Sequence, residues 1–120
     1  MKTTVINLSI IFLFSLSYAY GQTDKKKATE EISFEVSGVC KMCKSRIEDA
    51  ALYTSGVKFA EWNKETQMLK VAYKTKKVDE KTIHKSIAEA GHDTEKVKAT
   101  DEAYAKLPGC CKYRDGIEVH

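Results

Sequence analysis

The hydrophobic period of this chain changes abruptly at one place. Ile32, Phe34 and Val36 alternate with Ser33, Glu35 and Ser37, the period of a half-buried strand. Farther on, Ile47, Ala50, Ala51 and Thr54 recur at helical spacing, with Lys44, Arg46, Glu48 and Asp49 on the wetter side. Gly38-Val39-Cys40-Lys41-Met42-Cys43 occupies the switch between the two patterns. The chain must therefore leave a strand, turn through a short loop and start an amphipathic helix, with one thiol in the loop and the other on the first helical turn. Two thiols so placed can converge on one ion whose preferred ligand is thiolate sulfur.

The remaining elements follow from the same periodicities. Ser55-Gly56 stops the first helix. Residues 57–63 and 67–73 are β-rich and separated by Lys64-Glu65-Thr66, which predicts a hairpin. Ala60, Trp62, Leu69, Val71 and Tyr73 should face the core, with Glu61 and Lys70 opposite. Lys74-Thr75-Lys76-Lys77 reads as a solvated turn, or else as a basic dock for an acidic partner. Asp79 can cap a second helix that runs to Ala90, with Ile83, Ile87 and Ala90 inward and Gly91 as its stop. His84 stands beside that apolar stripe and is expected at the surface. Residues 92–97 predict a short last strand at a sheet edge. Residues 100–107 predict a short helix, ended by Pro108-Gly109 and followed at once by Cys110-Cys111. The order β-α-β-β-α-β, with two helices on one face of an antiparallel sheet, is the ferredoxin-like α+β arrangement.

Residues 1–21 carry Lys2, an apolar stretch from Val5 to Leu16 and small residues at Ala19 and Gly21, the pattern of a secretory signal peptide. The apolar stretch is about a dozen residues, short of the roughly 20 that a membrane-spanning helix needs. Residues 22–31 are charged and aperiodic and read as a linker. The expected organisation is a signal peptide over 1–21, the linker, a metal-binding domain over 32–98, and a C-terminal helix with a Cys-Cys tail over 99–120. The mature chain should be a monomer that does not span the membrane, exported across the inner membrane and periplasmic in a Gram-negative cell. The formal charge of +3 includes Lys2 and no acid from the leader, so the mature chain carries 19 bases against 17 acids, or +2. Such a balance does not suggest a nucleic-acid partner.

All four cysteines lie in the mature chain, and an extracytoplasmic compartment permits disulfides. Cys40, Cys43, Cys110 and Cys111 can thus form a disulfide framework, a metal site or a pair that switches between the two. Cys43, at a helix N-terminus and near Lys41, Lys44 and Arg46, is expected to have a lowered pKa and so to resist proton competition for metal. An exposed loop would let an incoming thiol join the ion before a resident one leaves. Two or three thiolates suit Cu(I) or Hg(II), whereas a closed Zn(II) site wants four tetrahedral ligands. Adjacent cysteines tend to diverge, which weighs against zinc. Cu(I) fits best, with His92, Cys110, Cys111 and Met42 as candidate additional ligands, although Met42 can simply pack.

The tail cysteines either form a structural disulfide or are swung over the CxxC by the helix at 100–107, which Tyr104 and Leu107 equip to dock. A thiol-disulfide redox protein is the alternative function, since a CxxC at a helix start also serves that chemistry. The cis-proline of a thioredoxin-like site has no counterpart here, because Pro108 lies in the tail. No enzyme signature is present: His84, His92 and His120 belong to no motif with a nucleophile, and there is no glycine-rich phosphate loop.

Cys40-x-x-Cys43 after the first strand, Arg46-Ile47-Glu48 behind it, Gly56-Val57 opening the second strand and Ala90-Gly91 before the last loop occur here in the order typical of one family. The stretch 32–97 resembles the heavy-metal-associated domain of copper chaperones, P-type metal ATPase tails and periplasmic mercury-binding proteins. The resemblance implies a ferredoxin-like fold, metal held by Cys40 and Cys43, and transfer to a metal-transport or efflux protein with its own thiolate site. Three features depart from the family pattern. The approach Gly38-Val39-Cys40 is one residue shorter than the usual Gly-Met-Thr-Cys and its Met stands inside the motif at 42. His92 follows Ala-Gly, where relatives often have an aromatic or basic residue. Cys110 and Cys111 lie outside the domain.

Overall fold

The computed structural model describes residues 28–116 and 119–120. The signal-peptide reading of 1–21 and most of the linker fall outside these residues. Strand β1 spans Thr29–Glu35, helix α1 Lys41–Leu52, β2 Val57–Trp62, β3 Met68–Lys74, helix α2 Glu80–Glu89 and the short helix α3 Asp101–Ala105. Two 3-10 turns, Gly109–Cys111 and Tyr113–Asp115, follow. β1 starts at Thr29, ahead of the alternating apolar residues, because the backbone of Thr29, Glu30 and Glu31 pairs with Lys74, Tyr73 and Ala72 whatever their side chains. Among the described residues no helix is long and apolar enough to cross a membrane.

The sheet order is β1-β3-β2, antiparallel throughout. Its register aligns the inward residues in rows: Phe34 and Trp62 flank Leu69, and Ile32 and Ala60 flank Val71. α1 contributes Ile47 and Ala51 and α2 contributes Ile83 and Ile87 to the same core, so both helices cover one face. This is the α+β, ferredoxin-like arrangement expected from the element order. Asp79 caps α2 by accepting from the Thr82 N–H at 2.8 Å.

Two expectations need correction. The last strand is reduced to a single bridge between Val36 and Thr94. Thr94 turns the chain instead of extending it: its N–H donates to Val97 O at 2.8 Å and its Oγ1 accepts from the Val97 N–H at 3.0 Å. His84 is not a surface residue. It is fully buried, stacked on Phe34 with ring centroids 3.8 Å apart, and its Nδ1 lies 2.6 Å from Thr94 Oγ1. A side chain beside an apolar stripe is covered when the next segment crosses over it, as the bridge at Thr94 does here.

Candidate metal centre

The CxxC loop rests on Trp62. The indole is buried, and its Nε1–H is shared between Val36 O at 3.0 Å and Gln67 O at 3.2 Å. Gly38 lies so close to this ring that an added Cβ would stand 2.9 Å from it and 3.0 Å from the Cβ of Cys43. The absence of a side chain at 38 therefore lets the loop descend onto the indole and brings the cysteines together. Lys44 and Glu48 fasten the other side: Lys44 donates to Glu48 at 2.7 Å and to Trp62 O at 2.9 Å, and Glu48 accepts from the Trp62 N–H at 3.1 Å.

Cys40 is the N-cap of α1, its sulfur accepting from the Cys43 N–H at 3.4 Å, while Cys43 Sγ accepts from the Val39 N–H at 3.5 Å. The two sulfurs are 3.3 Å apart. The lowering expected of Cys43 is found at Cys40 instead. Burial tends to raise the Cys40 thiol, but the Cys43 N–H and the neighbouring thiols outweigh burial and hold it down at about 7. Burial dominates at Cys43 and pushes its thiol up. The sulfur that caps the helix gains the exposed N–H groups of the first turn, and the one a turn further in mainly loses water. Lys44 is engaged by Glu48 and is not held for the sulfurs.

The tail closes over this pair. Leu107 packs at Gly91, where a Cβ would meet Leu107 Cδ2 and Ala103 O, each at 2.9 Å; Gly91 also has φ +103°. Tyr113 accepts from the Asp93 N–H at 2.9 Å, donates to Gly91 O at 2.8 Å and stacks on His92. Arg114 bonds Asp93 at 2.7 Å and Ala99 O at 2.8 Å and lies over the Tyr104 ring. The last described residue, His120, donates its N–H to Val39 O at 2.8 Å.

With the tail held in this way, Cys111 Sγ lies 3.5 Å from Cys40 Sγ, and Cys110 Sγ is 4.0 Å from Cys111 Sγ and 3.8 Å from the sulfur of Met42. The sulfurs of Cys40, Cys110 and Cys111 all lie within 4.8 Å of one another. The adjacent sulfurs of Cys110 and Cys111 thus stand 4.0 Å apart in one group with Cys40, contrary to the divergence expected of a Cys-Cys pair. Cys40, Cys43 and Cys111 are buried, at 5%, 0% and 0% exposure, so the loop is not the open one anticipated. Access is through a cleft of about 280 Å³ lined by Cys40, Lys41, Met42, Cys110 and His120.

His92 does not join the sulfur cluster. Its Nδ1–H donates to Ser37 O at 2.8 Å, its Nε2 is buried without a hydrogen-bond partner, and burial holds its pKa down at about 4. Among the tail contacts, Tyr104 and Leu107 are legible from helical spacing. Tyr113, Arg114 and His120 have no periodic signal, because their partners lie on loops distant in sequence.

The profile of the heavy-metal-associated domain matches residues 33–93, just over half of the chain, and ends before the tail cysteines. Three solved structures illustrate the likeness. The CopZ metallochaperone is 30% identical over 54% of this chain and 98% of its own, with a TM-score of 0.52. A copper-binding domain from HMA7, a P-type ATPase, is 27% identical over 54% and 89%, with a TM-score of 0.53. Oxidized MerP from Ralstonia metallidurans CH34 is 25% identical over 57% and 96%, with a TM-score of 0.54. No curated protein sequence matches significantly. Because the profile covers the strand, the CxxC loop, both main helices and the hairpin in order, this chain belongs to the heavy-metal-associated domain family.

Proposed function

We propose that this protein captures a thiophilic ion, Cu(I) foremost, through Cys40 and Cys43 and passes it by ligand exchange to a transport or efflux protein that carries its own thiolates. The observation that carries this reading is the pair of sulfurs 3.3 Å apart at the start of α1, one of them the helix cap with its pKa near 7. A thiol that is half ionised near neutrality competes well with protons for metal. Low-coordinate sulfur sites suit Cu(I) and also Hg(II). The likeness to a metallochaperone and to a domain of a P-type ATPase supports transfer between sites of similar build. The leader-like pattern of residues 1–21 supports an extracytoplasmic place of work, the periplasm in a Gram-negative cell.

In ligand exchange the incoming thiolate enters by the cleft at Cys40, and the ion leaves as each resident thiolate is displaced. The test is anaerobic Cu(I) titration against a chromophoric Cu(I) chelator, followed by transfer to a CxxC peptide. Removing a ligand should cost more than the roughly 10–100-fold typical of a residue that only supports one. Cys40→Ser and Cys43→Ser should therefore each weaken binding by about 100-fold or more. Affinity unchanged in both variants would sink the assignment.

A further inference from the structure

The four cysteine sulfurs do not surround a single point. Cys40 and Cys111, 3.5 Å apart, form an edge. Cys43 lies on one side of it, 3.3 Å from Cys40. Cys110 completes a triangle on the other side, within 4.8 Å of both edge sulfurs, with the Met42 thioether 3.8 Å away on the cleft side. Cys43 does not belong to that triangle. Three sulfurs each about 2.3 Å from a shared ion stand about 4 Å from one another. The Cys40, Cys110 and Cys111 triangle is thus close to the size that one three-coordinate ion requires, and Cys40 and Cys43, 3.3 Å apart, form a separate pair beside it. A closed zinc tetrahedron would need all four sulfurs within mutual reach.

Resting on the reading of Cys40 and Cys43 as the capture site, we propose that the tail creates a second ion position and that the protein binds two Cu(I) ions in one cluster, Cys40 bridging, Cys43 completing the first position and Cys110 and Cys111 the second. Four thiols bind two monovalent cations and release four protons to solvent, leaving a cluster charge of −2. No electron changes hands when the metal arrives as Cu(I). The N-terminus of α1 and Lys41 at the cleft rim offset that charge. The second position faces the cleft, so it is the one from which an ion is first lost, and the first lies beneath it.

The experiment is a Cu(I) titration of the reduced full chain, with the ion count read by native mass spectrometry and a copper–copper vector sought by X-ray absorption. Wild type should take two ions per monomer and show the vector. Cys110→Ser, a near-isosteric change at a partly exposed position, should take one ion, lose the vector and keep the affinity of the first ion within about threefold. Saturation of wild type at one ion, two ions retained by Cys110→Ser, or two ions seen only in a dimer would each overturn the proposal. Failure of the underlying capture reading is separate: it shows as undiminished Cu(I) affinity in Cys43→Ser.

Discussion

The two cysteine pairs reach the same place by different means. Cys40 and Cys43 are set by local structure, since a strand end, a glycine against an indole and a helix cap fix both sulfurs within a few residues of chain. Cys110 and Cys111, with Cys111 standing 71 residues along the chain from Cys40, are set by docking of the tail through Leu107 at Gly91, Tyr113 at His92 and Arg114 at Asp93. The first pair lies within the family domain, and the second follows it. Their acidities differ accordingly: Cys40 is held near 7 by donors of the helix start, whereas burial and neighbouring sulfurs push Cys111 far up. A locally built pair survives loss of distant contacts. A pair delivered by docking does not, and the pairs can be separated experimentally.

The largest effect is expected at the joint between them, His92, whose ring links Ser37 O below the CxxC to the Tyr113 ring of the tail. Its pKa is lowered from 6.5 to about 4 by burial. The unfolded chain therefore binds more protons in that window, so the stability from this group is present above pH 6.5 and lost as pH falls through 4. Apo-protein stability should drop by about 3 kcal/mol across the window, read as the urea midpoint against pH. His92→Gln should flatten the profile, and an equally steep profile in that variant would show that the acid sensitivity lies elsewhere.

Next in size is release of the tail. Tyr113→Ala removes two hydrogen bonds and the stack on His92 and should cost about 2 kcal/mol in chemical denaturation. It should also speed hydrogen exchange in the tail while that of α1 stays protected. Loss of protection in α1 as well would mean that the first pair also depends on docking.

The smallest effect concerns the sulfurs themselves. With a pKa near 7, alkylation of Cys40 in metal-free protein should rise about tenfold between pH 6 and 8 and level off above that. Peptide mapping after brief iodoacetamide treatment should show Cys43 and Cys111 lagging. Preferential labelling of Cys43 would reverse the acidity order given by the helix cap.

Much of the fold was legible because its signals are short-range. The alternation of Ile32, Phe34 and Val36, the cap at Asp79 and the break at Gly91 each act within a few residues, and each appears where expected. The edge strand at 92–97 was misread because Thr94 satisfies the backbone locally and the ladder stops after one bridge. His84 was misread because what buries it, Phe34 and Thr94, comes from other elements. At the site, the spacing of Cys40 and Cys43 identified the pair, yet which of them is the stronger acid depended on which one caps the helix.

By itself the sequence determined the ferredoxin-like element order and the CxxC at the junction of β1 and α1, because periodicity, glycine stops and helix caps are local physics. Only the tertiary structure decided that Cys110 and Cys111 face Cys40, that His92 turns to the backbone and not to the sulfurs, and that the CxxC is covered. Those outcomes depend on the docking of one surface on another, through residues such as Tyr113 and Arg114 whose partners no local pattern names.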